Sequence, residues 1–216
     1  MKTLAQNFLT ADEQQRITRA VHRAEQMTSG EIVPMLISRS SDYPAATFLG
    51  GFLPGFVLAL LITPIIGRFL WLGSNNMLLF VACFFLLFFL FFHLTERLPT
   101  IKRLFLLHGE ARKQVEKQAL ASFFQEGLYQ TSQDNGILLL VSVLEQQVVI
   151  LGDRGIDEKV PPGCWQQTVE QVTQGIRRGE QCHAICQAID RIGALLQDHF
   201  PIREDDTNEL HDLIIH

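Results

Sequence analysis

Two long apolar runs dominate the pattern of hydrophobic and polar positions along the chain. Residues 43–67 hold no Asp, Glu, Lys or Arg, and residues 77–92 are apolar throughout. Each run is close to the roughly 20 residues that cross about 30 Å of hydrocarbon as a helix. A helix on a soluble core keeps a polar face. The pattern therefore predicts a transmembrane hairpin over 43–95, with spans at about 47–67 and 76–95.

Small residues in the first span suggest how the two spans pack. Gly50, Gly51 and Gly55 follow the spacing that brings small residues onto one helix face. Such a face lets membrane helices approach closely. General glycine richness in a membrane helix is the alternative interpretation of the same residues.

Amphipathic patterns on both sides of the hairpin predict a helix and a strand before it. Thr10 and Glu13 have the spacing of a capping box. Apolar residues follow at helical spacing, and Gly30 is the expected helix stop. The positions of that helical face are Ile17, Ala20, Val21, Ala24 and Met27. Residues 31–38 then predict a strand, at an edge or with a bulge because Pro34 cannot donate to a ladder.

The pattern after the hairpin predicts a helix, a β-hairpin and two further helices. The first helix spans 110–131, with a buried face of Val115, Ala119, Phe123 and Leu128. Strand 137–143 turns at Glu145 and returns as 148–151. Helices at about 164–178 and 180–199 complete the series. The fold class is therefore α/β: a small mixed sheet with helices packed on it, interrupted by the two-helix hairpin.

These elements divide the chain into two halves of one domain. Residues 1–42 form its first part, and residues 96–201 form its second part. Neither half has enough strands for a stable sheet, so 31–38 is expected beside 137–143. Residues 202–216 are interpreted as an acidic C-terminal tail.

Charge sets the expected location. The net charge is −5, from 18 basic and 23 acidic residues, which excludes a general nucleic-acid binder. Basic residues gather outside the two spans, whereas the connecting segment 68–76 holds Arg68 alone. By the positive-inside rule, both termini and the soluble domain are cytoplasmic and the hairpin lies in a bacterial inner membrane. No cleavable signal sequence is expected from residues 1–11, and the four cysteines have no disulfide-framework spacing.

Four short segments of the soluble halves resemble the TPM domain family. Thr28-Ser29-Gly30-Glu31-Ile32 is similar to its Ser/Thr-Gly-Glu-Ile element, and 134–142 is similar to its central strand. Residues 152–156 resemble the turn after its hairpin. Trp165 and 199–201 resemble a membrane-embedded bacterial branch with an internal hairpin.

The resemblance implies an α/β/α sandwich. Some plant members of the family are described as phosphatases that help repair a photosystem, and an animal member regulates a receptor at the membrane. Some bacterial members bind a divalent metal. The commonest members carry a signal peptide and a terminal anchor, whereas here the membrane segment is internal.

Polar residues at predicted strand ends are the candidate site. These residues are Glu31, Asp134, Asn135, Asp153 and Asp157. The first four are the candidate ligands, because carboxylate and amide oxygens are what Ca²⁺ or Mg²⁺ takes. Strand ends are where ligands gather in open α/β sheets. Ordinary turn chemistry is the alternative, since Asp and Asn favour turns.

One further group of residues offers metal donors, and the common catalytic motifs are absent. Cys182, His183 and Cys186 offer metal donors, but both cysteines lie on the predicted apolar stripe of the last helix, where core thiols are common. A phosphate loop, a nucleophile elbow and a His-Glu-x-x-His motif are all absent. The sequence therefore favours an accessory or interaction module for membrane-protein complexes over the alternative, a divalent-metal-dependent phosphatase near the membrane.

Overall fold

The computed structural model describes residues 3–70, 76–131, 133–161, 163–202 and 210–216. The predicted connecting segment between the spans and the acidic part of the predicted tail, 203–209, lie mostly outside these ranges. The helices are α1 Leu4–Phe8, α2 Ala11–Glu25, α3 Pro44–Phe69, α4 Asn76–Arg97, α5 Pro99–Leu104, α6 His108–Gln125, α7 Arg154–Asp157, α8 Gln166–Arg178 and α9 Gln181–His199, with a 3₁₀ turn at Leu128–Gln130. The strands are β1 Glu31–Ile37, β2 Gly136–Ser142, β3 Gln147–Gly152 and β4 Ile214–Ile215.

The described strands form one mixed sheet in the order β3-β2-β1-β4. β1 pairs in parallel with β2 over its whole length, from Glu31 opposite Gly136 to Ile37 opposite Ser142. This pairing confirms the prediction that strands on the two sides of the apolar hairpin share a sheet. β2 and β3 pair antiparallel around Gln146, which has a positive φ of 51°, so the predicted β-hairpin is confirmed too.

Helices cover both faces of the sheet because its central strands are apolar on both faces. Ile32, Leu36 and Leu139 point into a core shared with α2, α8 and α9. Val33, Leu138 and Leu140 point the other way, into a core shared with Val115, Ala119, Phe123 and Leu128. All four predicted face positions of the helix after the hairpin are buried. The α/β/α sandwich is therefore confirmed.

The first amphipathic helix begins as predicted and ends earlier. The Thr10 hydroxyl accepts from the Glu13 amide at 3.3 Å, and the Glu13 carboxylate accepts from the Thr10 amide at 2.8 Å. The helix ends at Glu25, so Met27 is 42% exposed and Gly30 is not a helix stop. Gly30 serves packing instead, since a Cβ there would lie 2.7 Å from Cδ1 of Leu196.

The sheet has a strand that sequence patterns did not predict. Ile214 and Ile215 form β4 and pair in parallel with Met35 and Leu36. The end of the chain is therefore part of the sheet, and the interpretation of 202–216 as a tail is wrong there. β1 consequently lies between two strands rather than at an edge, and Pro34 is tolerated because β4 does not extend to it.

Residues 42–110 form a second compact unit, separate from the unit made of 1–41 and 111–216. Its α3 and α4 are 26 and 22 residues long, about 39 and 33 Å at the helical rise. By length and composition each can cross a membrane. They bracket the predicted spans, and α3 continues through Pro54 and Pro64.

Small residues let α3 and α4 pack closely. Cβ atoms built at Gly51 and Gly55 would lie 3.0 Å from Cβ of Phe92 and 3.0 Å from the amide nitrogen of Phe88. The predicted close-approach face is therefore the face that α3 presents to α4. Beside this face, Phe52 and Phe56 meet Phe84 edge-on, with ring centroids 5.7 and 6.1 Å apart. Aromatic pairs prefer this edge-to-face geometry.

A polar cluster closes the end of the hairpin where α5 folds back. The Glu96 carboxylate accepts from the Thr47 hydroxyl at 2.9 Å and from Nζ of Lys102 at 3.2 Å. The Lys102 side chain is only 4% exposed, and a buried ammonium requires such a partner. The cluster therefore ties α3, α4 and α5 together within this unit.

Candidate functional site

Three segments that carry the predicted site residues meet at one end of β1 and β2. We call residues 28–31, 133–136 and 153–155 the motif junction. The Thr28 hydroxyl donates to the Phe200 carbonyl at 2.6 Å, and the Ser29 amide donates to the same carbonyl at 3.0 Å. The residues before β1 are therefore fixed to the end of α9.

Asn135 is the central brace of the motif junction. Its side chain is buried, and its Nδ2 donates to the Ser29 carbonyl. Its backbone amide donates to the Thr131 hydroxyl at 3.1 Å, and its carbonyl accepts from the Glu31 amide at 3.2 Å. Asn135 therefore joins the start of β2 to the start of β1 through both its side chain and its backbone.

Asp153 follows β3 and caps α7. Its amide donates to the Gly136 carbonyl at 2.8 Å, and its Oδ1 accepts from the Arg154 amide at 2.7 Å. This is the N-cap use of an aspartate. Its Oδ2 is buried and has no hydrogen-bond partner, so one carboxylate oxygen of the motif junction stays available.

Close backbone contact explains why a glycine stands at position 155. A Cβ at Gly155 would lie 2.6 Å from the Asp134 carbonyl oxygen and 3.0 Å from that of Gln133. Asp134 itself is exposed and has a positive φ of 51°. The left-handed residue of the 134–136 segment is Asp134 rather than Asn135 or Gly136.

The charged side chains at 153–158 interact mainly with neighbours in the same segment. Nε of Arg154 donates to Glu158 at 2.8 Å, and this hydrogen bond, followed by the charges of Glu158 and Asp134, raises the pKa of Arg154. Desolvation, with a smaller contribution from Asp153, raises the pKa of Asp157. Glu158 is therefore the main partner of Arg154, and the negative charge of Asp153 acts on Asp157.

The predicted metal residues are brought near one end of the sheet without closing into a cage. Glu31 and Asn135 are buried, Asp153 is 9% exposed and Asp134 faces solvent. Their carboxylates do not form a group of three with ligand atoms within 4.8 Å of one another. Within the described ranges, such a group of His, Cys, Asp or Glu occurs at His22, Glu25 and Asp212. The Ca²⁺ or Mg²⁺ site at the motif junction stays a prediction.

The cysteines of the last helix behave as core groups. Cys182 is 4% exposed, and its thiol lies 3.8 Å from the Glu13 carbonyl. Burial, followed by the neighbouring Cys182, raises the pKa of Cys186 to about 11. Cys186 therefore carries a thiol rather than a thiolate at neutral pH.

Sequence reasoning missed the bracing roles of Thr28 and Ser29. Both are more than nine-tenths buried, and both bind the Phe200 carbonyl, 171 or more positions away in sequence. A hydroxyl pair before a Gly-Glu dipeptide was visible as a motif. Its partner was not, because a carbonyl carries no side-chain signal.

Comparison with known proteins agrees with this architecture. The family model of the TPM domain matches residues 97–195. The NMR structure of BA42 protein from the psychrophilic bacterium Bizionia argentinensis is similar, with a TM-score of 0.59 and 21% identity over 97% of this chain and 96% of that chain. At that identity the likeness concerns the fold. No curated protein matches the chain. Residues 97–195 therefore carry the match to the TPM domain.

Proposed function

We propose that the chain is an accessory module of the bacterial inner membrane, in which a TPM domain anchored by α3 and α4 engages membrane-protein complexes from the cytoplasmic side. The exposed surface of the two helices supports the anchor. Large apolar side chains project along both helices, with exposed fractions such as 69% for Ile65, 80% for Leu78 and 68% for Leu86. A water-soluble protein rarely presents so large a continuous apolar surface.

The observation that carries a binding role rather than catalysis is the use of polar groups at the motif junction. The Asn135 side chain is committed to the Ser29 carbonyl, and Oδ1 of Asp153 is committed to the cap of α7. These groups hold loops in place, which suits a rigid binding surface. A catalytic base must instead reach a substrate proton. The proposal therefore assigns the motif junction to architecture.

The matching family provides the alternative, a divalent-metal-dependent phosphatase. The full chain, purified in lipid nanodiscs, is assayed for phosphomonoester hydrolysis with Mg²⁺, Mn²⁺ or Ca²⁺ and with EDTA. The proposal predicts no hydrolysis that depends on metal. The matched variants are Asp153→Asn, at the available oxygen, and Asp198→Asn, on the exposed side of α9.

The two variants decide the outcome. Metal-dependent hydrolysis that Asp153→Asn removes and Asp198→Asn leaves intact contradicts the proposal and assigns catalysis to the motif junction. Native electrophoresis after mild solubilisation supplies the positive arm. The proposal predicts that the protein migrates in an assembly larger than its own micelle, and migration as an isolated monomer contradicts it.

A further inference from the structure

The described residues contain a mixed donor set between α2 and the C-terminal segment. His22 and Glu25 lie one turn apart on α2, and Asp212 approaches them from just before β4. Nε2 of His22 lies 3.1 Å from Oδ2 of Asp212. One ligand atom from each of the three residues lies within 4.8 Å of the other two.

We propose that His22, Glu25 and Asp212 bind a divalent first-row transition metal, with Zn²⁺ as the fitting ion, and that this ion fastens the C-terminal segment to α2. Ligands around tetrahedral Zn²⁺ with bonds of about 2.1 Å lie roughly 3.4 Å apart. The His22–Asp212 distance is already close to that value. Binding requires the Glu25 oxygen to close by at most about 1.4 Å, which a side-chain torsion supplies.

Anchoring of Glu25 from outside the cluster orients it for this role. Its Oε1 accepts from the Ile32 amide at 3.1 Å, at the start of β1. Hydrogen bonds of this kind fix the direction of ligating carboxylates in metal sites. Arg23 is the adjacent cation on α2. Because it is paired with Asp190 at 3.4 Å, it does not compete with a metal ion for the carboxylates of Glu25 and Asp212.

The donor types select the class of metal. An imidazole nitrogen with two carboxylates suits Zn²⁺ and its neighbours, whereas Ca²⁺ and Mg²⁺ prefer oxygen donors alone. The His22 side chain is 54% exposed and that of Asp212 is 25% exposed. Three protein ligands at a site open to solvent leave the fourth position for water, so the ion exchanges readily.

The consequence of binding is local order. Asp212 precedes β4, and the chain after it pairs with β1 through the His216 amide and carbonyl, at 2.9 Å from the Leu36 carbonyl and 3.1 Å from the Ser38 amide. An ion bridging α2 and Asp212 therefore stabilises the β4 segment on the sheet. This effect gives the site a readout that is independent of any enzyme assay.

The test uses the full chain in nanodiscs, with Zn²⁺ or Co²⁺ as the probe. Calorimetry is expected to show one site in the micromolar range, weakened at least about tenfold by His22→Gln and by Asp212→Asn. His183→Gln and Asp198→Asn, both at exposed positions of α9, are the matched controls and are expected to bind as the parent does. Zn²⁺ is also expected to slow amide exchange in 210–216 and at Ser38.

Four results would overturn the proposal. The first two are no binding at micromolar metal and an unchanged affinity in the His22→Gln Asp212→Asn double variant. The other two are Co²⁺ spectra dominated by thiolate charge transfer and amide exchange in 210–216 that Zn²⁺ does not slow. The thiolate result would place the ion at the cysteines. A loss of affinity in Asp153→Asn alone would place it at the motif junction.

Discussion

At the scale of single residues, buried polar side chains hold the motif junction together by binding backbone groups. Thr28 and Asn135 each satisfy a carbonyl of a distant segment, and Asp153 satisfies an amide of α7. Buried backbone groups cost about 1–3 kcal/mol when they lose their partner. These short motifs are therefore expected to matter first for stability.

Exchange of Asn135 for Asp tests that role. The variant places a carboxylate oxygen against the Ser29 carbonyl where an amide now donates, and it buries a charge. We expect the free energy of unfolding to fall by about 1–3 kcal/mol or more, measured by denaturant unfolding of the full chain in detergent.

The control for Asn135→Asp is its exposed neighbour. Asp134→Asn keeps a residue that tolerates positive φ and is expected to change the free energy of unfolding by no more than about 0.5 kcal/mol. Equal stability of the two variants would mean that Asn135 does not brace the motif junction and would favour a ligand role for its oxygen.

Residue chemistry was predictable where a pattern is local. The capping box of Thr10 and Glu13 follows from spacing alone. The role of Gly30 did not follow, because it depends on Leu196 packing from α9. The left-handed conformation of Asp134 did not follow from the local sequence either, because it depends on the contact with Gly155.

At the scale of elements, α3 and α4 depend on a close approach that only small residues permit. A Cβ at Gly55 would lie 3.0 Å from the amide nitrogen and 3.1 Å from Cα of Phe88. These are backbone atoms, so the two helices must separate to accept a larger side chain.

Exchange of Gly55 for Leu tests the packing of the hairpin. We expect Gly55→Leu to destabilise the helix pair by about 1–3 kcal/mol through overpacking, seen as a lower thermal transition in detergent. Val57→Leu, at a side chain that is 53% exposed, is the matched control and is expected to have little effect. Similar transitions in both variants would show that α3 and α4 do not pack through this face.

Deletion of 210–216 tests whether β4 protects the sheet edge. The Ser38 amide donates to the His216 carbonyl at 3.1 Å, whereas the Val143 amide donates to the Ile37 carbonyl at 3.0 Å. We expect hydrogen exchange at Ser38 to accelerate in the deletion and exchange at Val143 to stay slow. Unchanged exchange at Ser38 would contradict the pairing of β4 with β1.

β4 also shows what element-scale patterns cannot reveal. Two isoleucines are too short to have a period, and their strand exists because β1 offers an unpaired edge at Met35 and Leu36. Strands β1, β2 and β3 were predictable because each is a continuous apolar run with turn residues beside it.

At the scale of the whole molecule, an apolar hairpin interrupts a domain whose parallel strands come from both sides of it. β1 precedes α3, and β2 follows α6, yet the two strands pair along their full length. The proposed membrane hairpin requires both soluble parts to lie on one side of the membrane. We propose from the charge bias of the flanking segments that this side is the cytoplasm.

Paired reporters at the C-terminus and in the connecting segment test the topology most directly. A fluorescent protein that matures only in the cytoplasm and a phosphatase active only after export are each fused after His216 and, separately, inserted within 71–75. We predict fluorescence for the fusion at His216 and exported phosphatase activity for the insertion at 71–75. Exported activity at His216, or cytoplasmic fluorescence at both positions, would contradict a cytoplasmic TPM domain carried by a membrane-spanning hairpin.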